Sequence, residues 1–162
     1  MALQYKISDI AKGGLIYAGG DTVAALIAQE FDWVRMLGML AIGATVYAFE
    51  IPNYFRWIDR KVAATGNWRS SLYRTLLAML YFNPLWIARH VCFIKLLTGA
   101  FAQIGWNLLT VGTISFAVNI PVSLTANYLI QNRIGFNYRF LASAVFSGLM
   151  AIYYSLSDHW FG

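Results

Sequence analysis

Apolar residues run along this chain in long stretches, each longer than a soluble helix or strand needs. Five such segments stand out, at about 13–31, 34–55, 75–97, 104–131 and 138–156. Each is close to or beyond the roughly 20 apolar residues that an α-helix needs to cross a bilayer. The pattern predicts an all-α fold: a polytopic transmembrane helical bundle of four or five spans, forming a single integral membrane domain over residues 1–162. The third segment is the interrupted one. Pro84 breaks its hydrogen-bond ladder, and Arg89, His90 and Lys95 punctuate its second half. It reads either as a kinked span or as a helix that leaves the membrane early, and the span count turns on it.

Composition agrees with lipid as the solvent. Apolar residues make up 59% of the chain and charged ones 12%, against about 25% charged in a soluble domain. Trp33, Trp57, Trp68, Tyr73, Tyr138 and Trp160 flank the apolar runs, where amphipathic rings meet the headgroups. Phe116 and Phe146 lie in mid-segment and read as core. The first run holds Asp21 and ends in no convincing cleavage site, so it reads as a retained span rather than a signal peptide.

Net charge is +5. The basic residues fall mainly between apolar runs, so topology accounts for them and nucleic acid is not an expected partner. Lys6 and Lys12 lie at the first segment's leading edge; Arg56, Arg60, Lys61, Arg69 and Arg74 gather around the second link; Arg133 and Arg139 bound the last. The first link carries Glu30 and Asp32 beside Arg35, and 98–103 carries no charge. With five spans this places the N-terminus inside and the C-terminus outside.

Several groups inside the apolar runs carry candidate chemistry. Asp21 sits near the middle of the first segment, where an unpaired charge costs at least about 2.5–3.5 kcal/mol. It must be protonated, paired or facing water, and Arg89 and Lys95 are the expected partners. Glu50 lies nearer the inner end of the second segment, within expected reach of Arg56. A structural ion pair and a polar conduit both fit these residues. Small residues crowd the first span, in spacings such as Gly14-x-x-x-Ala18 and Gly20-x-x-x-Ala24, and Ala44-x-x-x-Ala48 repeats this in the second. They suit tight helix packing or a pore lining. The fourth segment carries Asn107, then Ser115, Asn119, Ser123 and Asn127 at intervals of four, a polar strip on one helix face interrupted by Pro121. Amides there either join helices or line a wet path. Pro121 would free a backbone carbonyl, which in lipid needs another partner.

No nucleophile elbow, zinc-protease motif or nucleotide-binding loop occurs, and His90 and His159 are isolated, so the chain does not read as an enzyme. Cys92 stands alone, which excludes an intramolecular disulfide and argues against a Cys-based metal site. Neither metal nor cofactor is expected.

Gly20-Asp21 in the first segment, Arg35 opening the second with Gly43 eight residues on, and the stretch Tyr54-Phe55-Arg56-Trp57-Ile58-Asp59 follow one another in a suggestive order. Arg74 with Pro84, Ile120-Pro121 with Leu124 and Asn127-Tyr128, Tyr138-Arg139, and Tyr153-Tyr154-Ser155 continue it. In these the chain resembles the Mpv-seventeen/peroxisomal membrane protein family, small polytopic proteins of organelle membranes. The chain departs from that family's pattern at Ala48-Phe49, Ala78-Met79, Ile120 and Leu124. The resemblance implies channel-like passage of small polar solutes across a mitochondrial inner or peroxisomal membrane. It marks Gly20, Asp21, Arg35, Gly43, Asp59, Pro84, Pro121 and Asn127 as motif residues. The stretch Arg60-Lys61-Val62, Gly66-Asn67-Trp68 and Phe82-Asn83-Pro84-Leu85-Trp86 is similar to part of the small bacterial alanine-exporter family, which would imply a bacterial inner membrane and an amino-acid cargo. The fifth segment has no counterpart there.

The expected function is therefore a channel or transporter for small polar solutes. A small amino-acid exporter, or a non-catalytic structural subunit of a larger membrane complex, is the alternative. Expected partners are the lipid bilayer, a small polar solute, and further copies or subunits.

Overall fold

The computed structural model describes residues 3–161, apart from the side chains at 151 and 154–161. The chain is all-α. Its first helix is α1 (Ile7–Ile27). A second column follows as α2 (Trp33–Ile42), a π-helical turn (Gly43–Tyr47) and α3 (Ala48–Lys61), continuous with one another. The third column is α4 (Trp68–Tyr81) and α5 (Pro84–Leu97), and the last two are α6 (Asn107–Asn132) and α7 (Phe136–Phe161). A short 3₁₀ turn at Phe101–Gln103 joins α5 to α6.

Among the described residues three columns are long and apolar enough to cross a membrane: Trp33–Lys61, Trp68–Leu97 and Asn107–Asn132, of 29, 30 and 26 residues. At 1.5 Å per residue the shortest extends about 39 Å, beyond the roughly 30 Å of a bilayer's hydrocarbon. α1 has 21 residues but carries Asp9, Lys12 and Asp21.

The helix boundaries follow local chemistry. α1 starts earlier than the apolar run, at Ile7, and stops at Ile27 rather than 31; Gln29 takes a left-handed φ of 58° and turns the chain back. Asp32 then caps α2, its carboxylate accepting from the Arg35 amide at 2.7 Å. The third column breaks where Pro84 demands it. Phe82 and Asn83 leave the helix, and Asn83 Oδ1 accepts from Trp86 N at 3.1 Å to begin α5. The helix resumes and runs on to Leu97, still beside the second column, since a Cβ on Gly38 would meet the Leu97 side chain.

Successive columns are antiparallel neighbours, and the last returns to the first. Gly38 against Leu97, Tyr47 against His90, Glu50 against Arg89 and Asp59 against Arg74 mark the antiparallel register of the second and third columns. Gly112 of α6 lies on the Pro84 carbonyl. Asn119 of α6 reaches Met150 of α7. α7 then lies parallel to α1, and a Cβ on Gly20 would stand 2.6 Å from Gly148 Cα. The five columns thus close into a ring.

The glycines of the first span serve this closure. Gly13 lies on the Gly43 backbone and Gly14 on Leu40 and Ala44, while Gly20 meets Gly148 on another side. Of the two roles open to the small residues, close backbone approach is the one seen at these three positions.

Polar chemistry divides the ring end from end. Gln4 bonds Asn53 and Arg56, Arg74 reaches the Gln131 carbonyl, and Arg139 holds Asp59, so the three basic stretches meet at one end. Trp68, Tyr73 and Tyr138 are exposed around that end, and Trp33 and Trp106 around the other. Trp57 is half-buried, as are Phe116 and Phe146, which pack on the core. The side chain of Trp160 lies outside those described.

Candidate functional site

The interior of the ring is unusually polar. Near the end opposite the basic one, Asp21 and Arg35 form a two-pronged ion pair: Arg35 Nε donates to Oδ2 at 2.8 Å and Nη2 to Oδ1 at 2.7 Å. The two side chains are 1% and 3% exposed. Neither Arg89 nor Lys95 is the partner that the sequence suggested. Arg35 lies one short turn away along the chain, and the contact of Gly13 with Gly43 sets the α1–α2 register that brings it opposite Asp21. Lys95 instead donates to Gln103 Oε1 at 2.7 Å.

Glu50 likewise pairs elsewhere than expected. Arg56 follows it by six residues, which puts it on a different helix face, and Arg56 bonds Gln4 and Asn53. Arg89 takes its place, with Nη1 to Oε1 at 3.0 Å and Nη2 to Oε2 at 2.7 Å, and Tyr81 donates to Oε2 at 2.7 Å. This pair is about one-third exposed, at the outer surface of the α3–α5 contact.

Between the two ion pairs lies an aromatic group that the sequence did not single out. Tyr47 and His90 Nδ1 are hydrogen-bonded at 3.0 Å. The Trp86 and His90 rings stack with centroids 5.5 Å apart, and Tyr17 leans on Tyr47 at 4.4 Å. His90 is buried, and neither its Nε2 nor Trp86 Nε1 has a hydrogen-bond partner among the described residues. Asp21, Arg35 and Arg89 all lie close enough to act on His90 electrostatically. The available signal was the four-residue spacing of Trp86 and His90, which puts both on one face of α5.

The strip on α6 faces inward as its spacing requires. Ser115, Asn119, Ser123 and Asn127 are buried and Pro121 is exposed, while Asn107, off the register, is exposed at the helix start. Asn119 Nδ2 donates to Ser123 Oγ at 2.9 Å and approaches Met150 Sδ at 3.3 Å; Asn127 Nδ2 donates to the Ser123 carbonyl at 2.9 Å. α7 answers with buried Ser143 and Ser147. Trp86, Ser123, Asn127 and Ser147 line a cavity of about 10 Å³, about enough for one water. The Pro121 carbonyl accepts from Thr125 Oγ1 at 2.9 Å.

At the basic end Asp59 is shared by Arg74 and Arg139, the latter at 2.5 Å. Arg74 is buried and also donates to the Val62 carbonyl at 2.7 Å. Buried Gln131 completes this level, its side-chain amide without a partner among the described residues. Among the described residues no group of His, Cys, Asp and Glu could hold a metal ion.

Some residues quoted for the resemblance meet in space: Asp21 with Arg35 across the α1–α2 turn, and Asp59 with Arg74 and Arg139 from more distant segments. Compared with protein-family models, curated proteins and solved structures, the chain gives no match.

Proposed function

We propose that this chain is an integral membrane protein that passes small polar solutes across a bilayer, with five crossings and its basic end on the cytoplasmic or matrix side. The carrying observation is the column of polar groups inside the ring. It descends from Asp21–Arg35 through Tyr47–His90 to Asn119, Ser123, Asn127 and Ser147, and on to Gln131 and Arg74. Buried polar groups in a membrane helix bundle are costly and usually face a path or a partner. In this reading the water-sized cavity beside Ser123 is the narrow point of a closed state, and the interior carries no catalytic role. The family resemblance favours a mitochondrial inner membrane, and the exporter likeness a bacterial inner membrane.

A structural-subunit reading has its own support: Asn119 and Asn127 satisfy their amides largely within α6. Purified protein in liposomes, challenged with small polar solutes including alanine, separates the two. A conduit requires flux in the wild type that Asn119→Leu abolishes while thermal stability is kept. A structural role predicts no flux in the wild type and lowered stability in the variant. A variant with full flux and full stability removes the polar strip from the argument.

A further inference from the structure

At the basic end a cleft opens between α1, α3 and α7, with a volume of about 220 Å³. Its floor is apolar, formed by Pro52, Phe55, Phe136 and Phe140. Lys6, Lys12 and Arg56 line it, and Arg56 and Phe136 also border a second cavity of about 520 Å³ that adds Arg60. Three cations thus line the cleft, and a fourth, Arg60, lines the neighbouring cavity that shares Arg56 and Phe136 with it. Against them stands Asp9, since Asp59 at the edge of the second cavity is already held by Arg74 and Arg139.

These cations are little used by the fold. Arg56 spends Nη2 on Gln4 and Asn53, but its Nε is buried without a partner among the described residues. Arg60 donates Nε to the Arg56 carbonyl at 3.1 Å and stays exposed. The first turn of α1 opens beside the cleft with no side chain capping it, which adds partial positive charge there. Topology alone asks only that basic residues lie on this side of the membrane. It does not ask that three of them line an aromatic-floored cleft with a fourth in the adjoining cavity.

We infer that this cleft is a binding site for a phosphate-bearing anion. The apolar floor suits the glycerol and upper acyl region of an anionic phospholipid, with the phosphate between Lys12 and Arg56. Basic pockets between helices at the cytoplasmic or matrix face are suited to such headgroups. A soluble organic phosphate presents the same group without the chains. The site is separate from the polar column and does not depend on the transport reading.

The test uses the full chain in a neutral detergent, with thermal unfolding followed against added phosphatidylglycerol, phosphatidylcholine, glycerol 3-phosphate or inorganic phosphate. Saturating phosphatidylglycerol should raise the midpoint by about 5 °C or more, and phosphatidylcholine should not. Lys12→Gln and Arg56→Gln should each remove most of that rise, whereas Arg133→Gln, exposed beyond the cleft, should leave it intact. Lys6→Gln guards against Arg56→Gln acting by loosening Asn53. A rise with the soluble phosphates as large as with the lipid assigns the site to a soluble anion. No rise with any phosphate, or equal loss in Arg133→Gln, overturns the proposal.

Discussion

Removing Arg35 strands a buried carboxylate that has no other partner among the described residues. Asp21 is 1% exposed, and the structure gives it two charge-assisted hydrogen bonds, both from Arg35. Each such bond contributes about 1.5–3 kcal/mol, and breaking a buried pair by deleting one partner costs about 3–5 kcal/mol. For a chain of this length that corresponds to a drop of roughly 6–20 °C in unfolding midpoint. Arg35→Ala should show this drop in neutral detergent, followed by loss of helical signal or by trapping of newly exposed Cys92. The double change Asp21→Leu with Arg35→Met should recover most of it, because an apolar pair of similar bulk avoids the desolvation altogether. Arg89→Ala is the internal comparison. It strands Glu50, but that carboxylate is one-third exposed and keeps Tyr81 as a donor, so the loss should be smaller. If Arg35→Ala costs less than Arg89→Ala, or if the double change is as unstable as the single, the buried pair does not hold α1 to α2 as argued.

Two glycines one residue apart should respond with opposite signs. Gly20→Ala places its Cβ 2.6 Å from Gly148 Cα and should cost about 1–3 kcal/mol as α1 and α7 are pushed apart. Gly19→Ala meets nothing within 4 Å and should stabilise slightly by helix propensity, with thermal unfolding as the measure for both. Single cysteines at Gly66 and Gly105, in a Cys92→Ala background, should label from opposite sides of a sealed vesicle, since the α3–α4 and α5–α6 links lie at opposite ends; labelling from one side would refute a full crossing by the third column. The corresponding probe at Gly162 lies outside the described residues.

The columns themselves were legible because each is a long apolar run bounded by polar punctuation. Their ends were less so, since α1 starts in a polar turn with Asp9 and Lys12 that an apolar criterion omits. The inward face of α6 was legible from a spacing of four alone. Partner choice was not. That Asp21 and Glu50 needed counter-charges followed from cost, but the choice among Arg35, Arg56, Arg89 and Lys95 depends on helix register, which cost does not specify. The aromatic group around His90 escaped for the same reason, being assembled from α1, α5 and the π turn.

One of those registers was encoded more locally than it seemed. Eight residues separate Gly13 from Asp21, and eight separate Arg35 from Gly43. Eight residues are a little over two helical turns, so each pair shares a face. Two antiparallel helices joined by a short turn that meet at Gly13 and Gly43 must therefore bring Asp21 and Arg35 level, whichever contact forms first. The backbone approach that only glycine permits fixes the register, and the ion pair penalises every other one, because a slip by a single turn would bury both charges apart. Steric and electrostatic specification coincide on the same alignment. Glu50 and Arg89 lack such a device: Ala48 and Phe49 precede Glu50 and the Pro84 break precedes Arg89, so their alignment rests on the packing of Tyr47, Trp86 and Tyr81 between two kinked columns. The α1–α2 hairpin is accordingly the part of this ring expected to hold its alignment on its own, and the seam between α3 and α5 the part with room to shift.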